Sequence, residues 1–318
     1  MLSTAQLAMR RTGIGGSDVG AILGLDQYRK PIDVWLSATG RAEPFTGNRH
    51  THWGNRLERV MADEYAERTG LHLRESETMR APTRPWQIGT PDRLAYESSR
   101  HRTPLLGLEC KARDTRAAHF WGEDGTADVP ESVACQAHWY MSLTNLAHWD
   151  VIVLIGGNDC RVYRLARDLE LEADLLETVE RFWIDHIEAD KPPPVDGSPS
   201  YDAFLRRRFA THRPDITKAD GDAERLAAML RAARADLAQA ERAERELVQH
   251  IAALAGDASG IDGEGWRFRW QERRGSIDWQ AIARHLGVTD EWAEQHRRAG
   301  SRSAVFRDIK PDNKETER

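Results

Sequence analysis

Apolar positions recur along the chain at two spacings, and each spacing predicts an element. Over 56–69 they fall at Leu57, Val60, Met61 and Tyr65, steps of three and four that share one helix face. Gly70 follows as the stop. Residues 86–96 and 105–112 read as strands joined by a polar turn at 98–102. Helical spacing returns over 131–143. The run 150–155 is apolar and β-branched, as in a strand buried on both faces. Gly156-Gly157-Asn158-Asp159 supplies a hairpin turn, and 160–165 the returning strand. Residues 168–190 form an amphipathic helix with Leu171, Leu175, Val179, Phe182 and Ile187 inward. The same stretch carries nine acids and one arginine, so its outer face is predicted to point away from a polyanion.

Lys191-Pro192-Pro193-Pro194-Val195-Asp196-Gly197-Ser198-Pro199 cannot continue a helix. It marks the end of a first domain, 1–191, and opens a linker, 192–221. From 222 to 256 the pattern changes. Leu226, Leu230, Ala233, Leu237, Ala240, Glu244, Leu247, Ile251 and Leu254 alternate steps of four and three, a heptad seam with one polar entry. Such a helix packs on its own domain or associates with a second copy. Residues 257–318 are expected as a small α+β region. In it Trp266, Phe268 and Trp270 alternate with Arg267 and Arg269, a short helix covers 277–286, and a closing strand covers 304–309. The aromatics build a small core or, with Arg267, stack on single-stranded DNA.

The chain has 318 residues, 40% hydrophobic and 30% charged, enough apolar surface for a sizeable core. No apolar run reaches the roughly 20 residues of a spanning helix, and 1–11 lacks the apolar region of a signal peptide. Cys110, Cys135 and Cys160 lie far apart, which argues against a disulfide framework or a thiolate metal site. A reducing cytoplasm and no membrane partner are therefore expected. The net charge of -6 does not advertise nucleic-acid binding. Only six of the 45 cations are lysine, so a lysine at a candidate site carries slight extra weight.

Candidate chemistry centres on Pro91-Asp92 and Glu109-Cys110-Lys111. Residues 109 and 111 leave the same face of a strand, and Asp92 sits at the end of the preceding one. Two carboxylates and an ammonium can converge there. Hard carboxylate oxygens suit Mg²⁺, which activates water and stabilises charge at phosphorus. The lysine orients or deprotonates that water, or steadies the oxyanion. A surface Glu–Lys pair is the bland alternative. Against it stands the apolar run at 105–108 leading straight into the charges. Gly15-Gly16-Ser17 before a helix at 18–23 offers free backbone N–H groups for an anion, or else Ser17 simply caps the helix.

Arg11-Thr12-Gly13-Ile14-Gly15-Gly16-Ser17-Asp18, Trp53-Gly54-Asn55-Arg56-Leu57-Glu58, Pro91-Asp92-Arg93, Gly107-Leu108-Glu109-Cys110-Lys111 and Gln136 to Tyr140 occur in that order. Together they resemble the YqaJ-like viral recombinase family, itself similar to lambda exonuclease in the PD-(D/E)XK nuclease superfamily. The resemblance spans 10–167. It implies an α/β fold, a restriction-endonuclease-like mixed sheet flanked by helices, here with the helical extension and α+β tail. It implies that Asp92, Glu109 and the Cys110 carbonyl bind Mg²⁺, with Mn²⁺ able to substitute, and that Glu58 joins them through water. Lys111 would be the catalytic lysine, and Gln136 would contact the nucleophile or a phosphate. Tyr140 would stack or hold a neighbour, and Arg11 and Ser17 would receive a 5′-phosphate. The implied activity is 5′→3′ exonuclease action on double-stranded DNA ends, leaving 3′ single strands. A single-strand annealing protein and a toroidal homotrimer are implied as partners. An endonuclease on the same fold and a non-catalytic DNA-binding or assembly protein are the rival readings.

Overall fold

The computed structural model describes residues 12–43, 47–211, 215–272 and 275–296. The chain divides into two compact units, Met1–Arg208 and Phe209–Arg318.

In the first unit, helices α1 (Gly16–Ile22), α2 (Pro31–Ala38) and α3 (Arg49–Thr69) come first. Strands β1 (His72–Glu75), β2 (Met79–Arg80), β3 (Ile88–Gly89), β4 (Arg93–Tyr96) and β5 (Leu106–Arg113) follow. A 3₁₀ turn, Thr115–Phe120, and helix α4 (Glu131–Thr144) lead to β6 (His148–Ile155) and β7 (Asp159–Ala166). Helix α5 (Leu169–Phe182) runs on through a π-helical turn, Trp183–Glu188, and α6 (Pro199–Arg208) closes the unit. Five strands form one sheet in the order β1-β4-β5-β6-β7. Only β5 and β6 run parallel, and α4 belongs to the crossover such a pair requires. The expected mixed sheet with flanking helices is therefore present.

Strand parity sorts the core onto two faces. Trp149, Val151, Val153 and Ile155 of β6 pack with residues of α1, α2, α4 and α5. Leu106 and Leu108 of β5 and Ile152 of β6 pack with Met61 and Tyr65 of α3. Buried Tyr65 and Asp150, joined by the exposed Arg164, pin α3 to its face. Tyr65 donates to Asp150 Oδ2 at 2.5 Å, and Arg164 Nε and Nη2 donate to the same carboxylate at 2.8 and 2.7 Å. Gly107 lies under the Trp149 ring, where an added Cβ would stand 2.2 Å from ring carbons.

Several boundaries differ from the sequence expectation for local reasons. Helix α3 begins seven residues early because Asn48 caps it, accepting from the Thr51 N–H at 2.9 Å. Its end at Gly70 is as expected, with φ of 70°. Val60, expected inward, is exposed, since the i, i+4 row Leu57, Met61, Tyr65 already fills the face. The strand expected over 86–96 breaks at Pro91, which has no N–H for a ladder. The stretch 192–221, expected as a linker, contains α6, whose Tyr201 and Phe204 are buried in the first unit's core.

The second unit contains α7 (Gly221–Ala255), a hairpin of β8 (Gly260–Gly263) and β9 (Trp266–Arg269), and short helices α8 (Trp279–His285) and α9 (Asp290–Gln295). The 35-residue α7 is present as predicted, and Leu226, Leu230, Leu237, Leu247 and Leu254 of its seam are exposed. Trp266 and Trp270 are exposed as well, so they form no core among the described residues. Asp262 pairs with both Arg267 and Arg269. The strand expected at 304–309 lies outside the described residues.

Candidate active site

Strand β4 starts at Arg93, paired with Leu108, so beyond Leu108 the edge of β5 facing it carries no strand. Asp92 takes up the first free group there: the Cys110 N–H donates to its Oδ2 at 2.8 Å. A strand residue's N–H and C=O point the same way, so the Cys110 carbonyl opens onto this edge beside Asp92. The Cys110 thiol goes to the α3 face, among the partly buried residues of that core. Burial first, and then the charges of Asp92, Glu109 and Glu58, push that thiol well above its ordinary value. It is packed and inert rather than nucleophilic.

Glu109 and Lys111 leave β5 toward α4, as parity predicts. Glu109 is 5% exposed. Its Oε1 accepts from Lys111 Nζ at 2.6 Å and from Gln136 Nε2 at 2.7 Å. Lys111 Nζ also donates to Gln136 Oε1 at 2.8 Å. The three side chains thus close a ring of hydrogen bonds, and the amide of Gln136 is oriented by an acid on one side and a cation on the other. Tyr140, one turn along α4, lies 3.3 Å from Gln136 Nε2 and 3.4 Å from the Thr90 carbonyl, with its ring on Trp149. It holds the helix and Gln136 in place.

The acids are under electrostatic stress. Burial first, then the charge of Glu109, holds the Asp92 carboxyl well above the usual carboxylate range, against the opposing pull of Lys111 and the Cys110 N–H. Among the described residues, Glu109 Oε2 is buried without a hydrogen-bond partner, a costly arrangement for a carboxylate oxygen. Two close acids, one orphaned oxygen and an open carbonyl are the donor set a hard divalent cation would satisfy. No group of three or more His, Cys, Asp or Glu side chains forms a metal cluster among the described residues, so backbone and water or phosphate oxygens would complete the shell.

Glu58 approaches from α3, but its Oε1 accepts from Arg93 Nη1 at 2.8 Å. Its charge is therefore partly neutralised by Arg93, a residue to which the sequence pattern assigns no role. Arg93 directly follows Asp92, and that adjacency was the only local signal. Ser17 is exposed in the first turn of α1. It is not the cap: Gly15 holds that position, its N–H donating to Asp18 Oδ2 at 2.9 Å. Gly15 and Gly16 are still brought to the site. Ile14 pairs with the 86–88 backbone, and a Cβ on Gly16 would stand 2.8 Å from the Tyr140 ring. Arg11 lies outside the described residues.

A mixed α/β unit carrying an acid–acid–lysine cluster at a sheet edge is the class of domain so defined. Residues 6–147 match the model of the YqaJ-like viral recombinase domain, so the resemblance expected from the five motifs is found. The Bacillus subtilis (strain 168) protein YqaJ is 29% identical over 208 residues, 64% of this chain and 62% of that protein. The match thus spans less than two thirds of the relative's length. Among solved structures, an alkaline exonuclease from Laribacter hongkongensis is 17% identical, with a TM-score of 0.48 over 65% of this chain and 98% of that one. A phage-related exonuclease from Haemophilus somnus 129PT is 16% identical, with a TM-score of 0.39 over 56% of this chain and 96% of that one.

Proposed function

We propose that this protein is a divalent-metal-dependent DNA exonuclease of phage-type recombination, with Mg²⁺ as cofactor and Mn²⁺ able to replace it. The observation that carries the reading is the buried Glu109 Oε2 beside Asp92, without a hydrogen-bond partner among the described residues, in a carboxylate whose other oxygen accepts from a lysine. Asp92, Glu109 and the Cys110 carbonyl would hold the ion, and Glu58 would reach it through water. When bound, the ion supplies positive charge at the phosphate and lowers the pKa of water.

The chain's own residues do the positioning. Lys111, as an ammonium, has three N–H donors. Two are spent on Glu109 and Gln136, and the third is left for a phosphate oxygen or the attacking water. That donor is useful where negative charge builds at phosphorus. Hydrolysis forms a P–O bond from water and breaks the P–O bond to the leaving sugar oxygen. Gln136 keeps Lys111 aimed, and Tyr140 keeps Gln136. Arg11 and Ser17 receive the 5′-phosphate, so degradation runs 5′→3′ from ends of linear duplex and leaves 3′ single strands. A single-strand annealing protein and a homotrimer in the cytoplasm complete the proposed setting.

The test is digestion of linear duplex labelled at either end, beside a covalently closed circle, with Mg²⁺, Mn²⁺ or EDTA. Loss of the linear form alone, from its 5′-phosphate end and absent with EDTA or Lys111→Ala, is expected. Cutting of the circle would make the protein an endonuclease. DNA binding without cleavage would favour a binding or assembly role.

A further inference from the structure

The catalytic cluster is continued, one step along each of two elements, by a cleft of about 170 Å³ whose lining includes Leu25, Tyr28, Arg113, Phe120, Trp121 and Ser132. On β5, Arg113 follows Glu109 and Lys111 with the same parity, about 6.6 Å beyond Lys111. On α4, Ser132 lies one turn before Gln136, in the row 132, 136, 140. Both elements therefore lead from the Lys111–Gln136 pair directly into the cleft.

Its chemistry is specific. Arg113 has no ion-pair partner among the described residues. Its guanidinium donates to the Ala112 carbonyl at 2.9 Å. Arg113 is exposed at the end of β5, and Asp26, which lines the same cleft, forms no ion pair with it among the described residues. Tyr28 is 84% and Phe120 53% exposed, large aromatic areas left in water. Tyr28 stands on a braced turn. Asp26 Oδ1 accepts from the backbone N–H groups of Tyr28 and Arg29 at 2.7 and 3.0 Å. Lys30 Nζ donates to the Asp26 carbonyl at 2.6 Å, and Arg29 pairs with Asp18 of α1.

We infer that this cleft binds the nucleotide adjoining the bond that is cut, with Arg113 on its phosphate and Tyr28 and Phe120 stacking on its base. A cation without a partner takes the anion, and sequence-tolerant stacking takes the base. The inference deepens the nuclease reading and rests on it for the path of the strand.

Binding and cleavage together test it. Equilibrium affinity for a labelled oligonucleotide duplex end is measured by fluorescence anisotropy in EDTA, and kcat and KM for the same duplex in Mg²⁺. Each is run on intact DNA and on DNA with an abasic residue at the second nucleotide from the end. Tyr28→Ala and Phe120→Ala are expected to weaken binding and raise KM about tenfold on intact DNA, with kcat within about twofold. The abasic substrate should cost the wild type the same factor, and the aromatic variants should lose nothing further on it. Arg113→Ala should lose about tenfold on both substrates and show a shallower salt dependence. Wild-type affinity in the variants, or full additive losses on abasic DNA, would overturn the cleft assignment. Wild-type protein that binds in this pattern but never cleaves would overturn the nuclease reading and leave the cleft standing. No DNA binding by the wild type would overturn the inference itself.

Discussion

At the scale of single residues, burying two acids side by side costs stability at the proposed site. Asp92 holds a raised pKa because it is buried beside Glu109. The folded, metal-free protein therefore keeps a proton that the unfolded chain releases. That contribution is present below the ordinary carboxylate range and is lost as pH rises through the raised value. Asp92→Asn keeps an acceptor for the Cys110 N–H and removes the charge. In EDTA at pH 8 it is expected to melt about 2–4 °C above the wild type, roughly 1 kcal/mol, with the gap closing toward pH 5. A variant that melts lower at pH 8 would contradict the assigned stress. Cleavage should fall at least about a hundredfold in the same variant, as for loss of a metal ligand. Gln136→Ala removes one of two acceptors on Lys111 and the second donor to Glu109 Oε1. A loss of about tenfold in kcat with little change in KM is expected, the pattern of an interaction made mainly in the transition state. A pure KM effect would show Gln136 to be a DNA contact only.

At the scale of elements, close approaches made by glycines set the site's geometry. Gly107 lies two residues before Glu109 on the same face of β5, covered by Trp149 of β6. Gly89 of β3 lies under α4, where a Cβ would stand 2.6 Å from Leu143 Cδ1 and 2.9 Å from Tyr140. Gly107→Ala is expected to destabilise by about 1–3 kcal/mol through overpacking. The added Trp149→Phe should return part of that loss by opening space, read from urea unfolding midpoints. Equal and additive losses in the double variant would mean that the two residues do not share one space. The arrangement of β4 matters in the same way. Its start at Arg93 leaves the β5 edge beyond Leu108 open, and Asp92 occupies the place where the next ladder bond would have been.

At the scale of the whole molecule, the first unit runs to Arg208 because α6 buries Tyr201 and Phe204 against Trp35 of α2, with ring centroids of Trp35 and Phe204 5.7 Å apart. Phe204→Ala should cost about 3–5 kcal/mol, seen as a lower midpoint of the first unit's unfolding transition. Truncation after 208 should leave that midpoint nearly unchanged, and truncation after 191 should lower it. The opposite order would place the boundary at the proline run. No described helix is long and apolar enough to cross a membrane.

Much of this was legible in the amino-acid order because it depends on local periods. Parity along β5 put Glu109 and Lys111 on one face and sent the Cys110 thiol to the other. The i, i+4 spacing aligned Gln136 with Tyr140, and Gly70 ended α3 where expected. Helix α6 is not legible in the sequence because its two anchoring aromatics sit behind a proline-rich stretch that reads as linker. The Glu58–Arg93 pair, the Asp92–Cys110 hydrogen bond and the bonds of Gln136 to Lys111 and Glu109 join residues 18 to 35 positions apart. Pattern along the chain sets which face a side chain leaves by, since that follows from backbone geometry repeated every two or 3.6 residues. Which faces meet, and therefore which charge neutralises Glu58 and which oxygen of Glu109 is left bare, was decided only when sheet and helices packed. Those contacts depend on distances through space that no local period encodes.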